Sequence, residues 1–105
     1  MNDFKYFERL GEAIAVVPES VVSRVLFSGE GINITLFAFD AGQGLTEHTA
    51  SARAWIYFVD GEGEITLGKE VKHVIAGTWV EMAPGLRHAL KAKTALRMVL
   101  VLKES

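Results

Sequence analysis

The run AWIYFVDGEGEITLGKEVKHVIAGTWVEM, residues 54–82, decides the fold. Four apolar stretches lie in it: AWIYFV (54–59), EITL (64–67), VKHVIA (71–76) and TWVEM (78–82). DGEG, GKE and Gly77 separate them. Branched and aromatic side chains suit a pleated strand, and glycine-bearing breaks of this length suit tight turns. The pattern continues outward. Upstream, VVSRVLFS (21–28), GEG and INITLFAF (32–39) read as strand, turn and strand; downstream lie HALKA (88–92) and LRMVLVL (96–102). Eight or nine short strands, one about every ten residues, predict an all-β antiparallel sandwich or barrel. DFKYFERL (3–10) alone has the character of a helical turn, and VVPES (16–20) reads as a break.

The chain has 105 residues, which predicts a single domain over 1–105. Half of the residues are hydrophobic, enough for a core without covalent staples, and there is no cysteine. Disulfides, thiolate metal sites and cysteine nucleophiles are therefore excluded. Eleven basic and thirteen acidic residues are scattered, for a net charge of −2. That distribution offers no surface for nucleic acid. The charged start, MNDFKYFERLGEA, does not resemble a signal peptide, and no apolar run reaches the roughly 18 residues of a membrane span. The expectation is a cytoplasmic protein without a membrane partner. INITLFAF and LRMVLVL are apolar on both faces, whereas a strand at the surface of a small sandwich should alternate with polar residues. A second copy covering the outer face, hence a homodimer, is expected; the alternative is a terminal segment folded back over it.

Two segments carry the chemistry. GQGLTEHTASARAW (42–55) contains His48, and EMAPGLRHALKA (81–92) contains His88. Gly42 precedes His48 by five intervening residues, Gly61 follows it by thirteen positions, and Gly77 opens GTWVEMAPGLRHAL, which leads to His88. This order resembles the two motifs of the cupin superfamily, small double-stranded β-helix (jelly-roll) barrels, over roughly residues 20–102. The resemblance is to small single-domain members. It implies a barrel whose interior holds a ligand or one divalent transition metal (iron, manganese, nickel or zinc).

In the metal-loaded pattern the first motif supplies two histidines and a glutamate and the second one histidine. Position by position, these fall on His48, Ala50, Ala54 and His88. The second motif departs further, with Pro84 one place late and Ala92 where the family has asparagine. Two of four ligands survive. Zinc takes about four ligands and the facial iron triad needs a carboxylate beside two histidines, so two imidazoles alone would hold a metal loosely, with water, substrate or an unorthodox third residue completing the shell. Glu81 is one candidate, on the strand entering the second motif; Gln43 is a weaker one. Glu47, next to His48, should face the opposite way.

Alternation along the 54–59 strand turns Ala54, Ile56 and Phe58 towards the face shared with His48, and Trp55 and Tyr57 outward. The expected pocket is therefore His48, His88, Ala50, Ala54, Ile56 and Phe58. Trp79 is undecided by parity. Arg53 and Arg87 flank the histidine segments and read as rim charges or as guides for an anionic ligand. His73, among charged neighbours, reads as a solvated strand residue. The glycine pairs 29/31, 42/44 and 61/63 have no helix behind them and read as turns rather than phosphate loops.

Three functions remain open: a barrel that binds a small organic ligand, a metal-dependent enzyme of dioxygenase, isomerase or decarboxylase type, and a structural or partner-binding barrel packed solid by Ile56, Phe58 and Met98. A hollow behind the histidines separates the last from the others.

Overall fold

The computed structural model describes residues 3–104. Its strands are β1 (Val21–Gly29), β2 (Ile32–Phe39), β3 (Gly44–His48), β4 (Arg53–Asp60), β5 (Glu62–Leu67), β6 (Glu70–Ile75), β7 (Trp79–Met82), β8 (His88–Ala92) and β9 (Leu96–Lys103). They form a five-stranded sheet, β1-β2-β9-β4-β7, and a four-stranded sheet, β3-β8-β5-β6, with every described pair antiparallel. The all-β jelly-roll expectation stands. The turns follow from local chemistry. Gly29 pairs with Ile32 across a two-residue loop in which Glu30 and Gly31 both have positive φ, the conformation that continues the twist of a hairpin. Gly61, at φ +90°, is required twice over, because a Cβ there would lie 2.3 Å from the Ala95 carbonyl oxygen.

Period-two burial builds the core. On β4 Ala54, Ile56 and Phe58 are buried while Arg53 and Tyr57 are exposed. Phe39, Phe58, Leu96, Val74 and Ile65 from both sheets meet in the interior. Each such side chain contributes roughly 1.5–3 kcal/mol by leaving water.

The outer face of the larger sheet explains why β2 and β9 are apolar on both sides. Leu36 and Ala38 lie on the face opposite Phe37 and Phe39 and yet are fully buried. The chain before β1 packs against this sheet. Arg24 donates to the Ala13 carbonyl (2.9 Å) and stands 5.3 Å from the Phe7 ring. Arg97 donates to the Ile14 carbonyl (2.9 Å) and to Asp60 (3.0 Å). The folded-back segment thus accounts for part of the second apolar face. The helical turn in it is a 3-10 turn at Leu10–Ala13, which begins at the last residue of the stretch 3–10 expected to carry it. Arg9 provides no side-chain cap there. Tyr57 and Trp79, neighbours across β4 and β7, stay about half exposed on the same outer face.

Candidate functional site

His48 and His88 come together because β3 and β8 are paired, with the two residues directly opposite. The pairing is irregular in an informative way. Leu45 faces Leu90 and His48 faces His88, so three residues on β3 span the same distance as two on β8. The extra residue is a β-bulge, which re-aims the side chains beyond it. Strict alternation from Leu45 would turn Glu47 inward. With the bulge, His48 takes the inner side, and Glu47 lies outside, accepting from Arg87 at 3.2 Å.

The two imidazoles meet edge to face with centroids 4.2 Å apart and planes inclined by 60°. Each is anchored by the main chain two residues earlier: His48 Nδ1 donates to the Thr46 carbonyl (2.7 Å) and His88 Nδ1 to the Leu86 carbonyl (2.9 Å). A carbonyl oxygen only accepts, so in the neutral rings the proton sits on Nδ1 and the lone pair on Nε2. Among the described residues neither Nε2 has a hydrogen-bond partner.

Behind the histidines lies a cavity of about 180 Å³. Its walls are Ala54 and Ile56 of β4, Ile65 of β5, Met82 of β7, Leu90 of β8, and Met98, Leu100 and Leu102 of β9; Leu45, Ala50, His48 and His88 complete them. His48 is the most exposed of these residues and marks the mouth. Side-chain polarity is confined to the two imidazoles.

Of the pocket residues read from the sequence, His48, His88, Ala50, Ala54 and Ile56 line the cavity. Phe58 does not: it shares their face of β4 but lies one inward position further along, fully buried in the packed core. Glu81 is no partner for the histidines. It pairs with Trp55 in register, on the outer face, and accepts from Arg53 at 2.7 Å. Arg53 and Arg87 are therefore both rim charges held by carboxylates. His73 is exposed, 3.4 Å from Glu62. Trp79, left open by parity, is on the outside. The residues that sequence reasoning missed are the aliphatic and methionine walls from β5, β7, β8 and β9. In sequence they look like ordinary core, and only the register shows that they surround a space.

The donor set does not fit a protein-held metal. His48 and His88 supply two ligands, methyl groups of Ala50 and Ala54 line the walls where the pattern has the others, and the carboxylates of Glu81 and Glu47 are engaged by Arg53 and Arg87 outside the barrel. Among the described residues no group of three or more histidine, aspartate or glutamate side chains converges. Two imidazoles fall short of the three protein ligands of catalytic zinc or of the iron facial triad.

Comparison with known proteins agrees with this architecture. The family model for the cupin domain matches residues 35–102. A conserved protein of unknown function from Streptococcus pyogenes superposes with a TM-score of 0.85 at 27% identity, over 99% of this chain and 98% of that one. A cupin superfamily protein from Desulfitobacterium hafniense gives 0.89 at 20% identity, over 92% and 89%. An RmlC-like cupin from Desulfovibrio desulfuricans gives 0.82 at 24% identity, over 95% and 96%. No curated protein matches the chain.

Proposed function

This chain belongs to the cupin domain family, and from that premise we propose that it is a small-molecule-binding barrel. The apolar hollow receives the body of a small organic ligand, and His48 and His88 meet its polar end. The family fold hosts many chemistries, so the argument rests on the site. One observation carries it: two imidazoles from neighbouring strands, each with Nδ1 tied to a carbonyl, stand at the mouth of an apolar cavity of about 180 Å³. A few convergent polar groups on a concave apolar wall are the usual make-up of a ligand site. A barrel serving only as scaffold has no need of the space; Ile56 and Met98, which could have filled it, form its walls instead.

The binding reaction requires no metal. The test combines two measurements on protein purified without an affinity tag. Elemental analysis should find iron, manganese, nickel and zinc far below one per chain. Titration with small monocyclic organic compounds should shift the methyl resonances of Met82 and Met98 and raise the unfolding temperature. A ligand at 100 times its Kd stabilises the fold by about 2.7 kcal/mol. One metal per chain, lost in His48→Ala, would replace this reading with the metal-enzyme one; methyl resonances unmoved by every compound would return the barrel to a scaffold.

We further propose that the protein acts in the cytoplasm as a homodimer. No described helix is long and apolar enough to cross a membrane. Tyr57 and Trp79 leave an aromatic patch on the outer sheet face, beyond the cover of the N-terminal segment. Light scattering should give twice the chain mass for the native protein and a single chain mass for Trp79→Glu; an unchanged mass in the variant would exclude this face.

A further inference from the structure

Resting on the ligand-binding reading, we propose that the ligand class is a small uncharged phenol: one aromatic ring with a hydroxyl that donates to Nε2 of His48 or His88. Three features of the site converge on it. The first is size. A cavity of about 180 Å³ is slightly larger than the ~150 Å³ space that holds benzene in an engineered protein core. One ring with one substituent fits, and two rings do not.

The second is the direction of hydrogen bonding. The Thr46 and Leu86 carbonyls hold the proton of each ring on Nδ1, so the neutral pair offers two acceptors and no donor to whatever enters. A hydroxyl donor complements that arrangement. A carboxylate or phosphate would set its own acceptors against both lone pairs. It would also find no fixed cation, because Arg53 and Arg87 are held by Glu81 and Glu47 on the outside. A sugar meets a different obstacle. Its many hydroxyls need partners, and beyond the imidazoles the walls are aliphatic or thioether side chains, against which an unpaired hydroxyl is penalised.

The third is the wall itself. Met82 and Met98 are both buried and both line the cavity. Thioether sulfurs make favourable contacts with aromatic ring edges, and the unbranched side chains adapt to a flat ring. An aromatic body with a single donor satisfies all three features.

Calorimetric titration of the intact protein at pH 8 with phenol, anisole, benzene and benzoate tests the assignment. Phenol is uncharged there, since its hydroxyl ionises near pH 10 like that of tyrosine. One hydrogen bond gained over an apolar contact should make phenol bind about five- to tenfold tighter than anisole or benzene, with benzoate the weakest of the four. Nitrogen NMR of the histidine rings should show an Nε2 resonance moved by phenol and not by benzene, a readout that needs no variant. In the His48→Ala, His88→Ala double variant the preference for phenol over benzene should vanish. Anisole or benzene binding as tightly as phenol, or benzoate binding best, overturns the phenol class and leaves the cavity reading intact. Failure of all four compounds to bind overturns both.

Discussion

The inward-facing residues of β4 build two unlike ends of one barrel. At one end Phe58 lies with Phe39, Leu96 and Val74 in the buried core, and none of the four lines the cavity. At the other, Ala54 and Ile56, with their sheet neighbours Met82, Leu100 and Leu102, face Ile65 and Leu90 of the second sheet across a hollow that opens between two histidines. The strand, the face and the pleat are the same. What differs is the volume of side chain delivered to each level. Stability is concentrated where aromatic rings fill the cross-section, and binding capacity where alanines leave it open.

Substitutions that exchange the character of the two ends test this contrast. The largest effect belongs to the packed end. Phe58→Ala should lower stability by about 3–5 kcal/mol, the range for truncating a buried aromatic. With roughly 4–8 °C per kcal/mol for a domain of this size, the melting temperature should fall by more than about 12 °C. A loss below about 1 kcal/mol would mean that this end is not the close-packed one. Next comes the reverse operation at the open end. Ala54→Leu adds three carbons to space already present, so thermal unfolding should show a change between zero and about 1 kcal/mol of stabilisation, together with loss of binding to every ring compound. Destabilisation typical of overpacking, about 1–3 kcal/mol, would show that the hollow is not there. The smallest effect is expected at the mouth. His48→Ala removes an exposed side chain, so denaturant unfolding should move by about 0.5 kcal/mol or less. A larger loss would make the histidine pair a structural element of the fold.

The contrast also explains what could be read from the sequence. The strands were legible because glycine turns cut the chain into pieces too regular to be anything but antiparallel sheet. The closeness of His48 and His88 followed from the family resemblance of the segments that hold them. The bulge at residues 45–48 left no comparable trace, since nothing in GLTEH distinguishes an extra residue from a regular strand, and β3 itself was not among the stretches marked as strands. Glu81 went astray for a related reason. The Pro84-Gly85 turn breaks the parity between it and His88, and only its register against Trp55 puts it outside. Phe58 had the right face and the wrong level, because alternation fixes direction and says nothing about depth along the barrel. The two-faced apolarity of β2 and β9 was visible, but its cause was divided. Leu36 and Ala38 are buried beside Arg24 and Arg97, the two residues that bind the chain's own beginning, while the face around Tyr57 and Trp79 stays open.

Xenon binds apolar space that water leaves dry, which makes it a direct probe of the hollow. In a crystal of the native protein pressurised with xenon, density should appear between Ala54 and Ile56 of one sheet and Ile65 and Leu90 of the other, below the His48–His88 pair, and should be absent between Phe39 and Leu96. Methionine side chains found filling that space, with no xenon bound, would contradict the account.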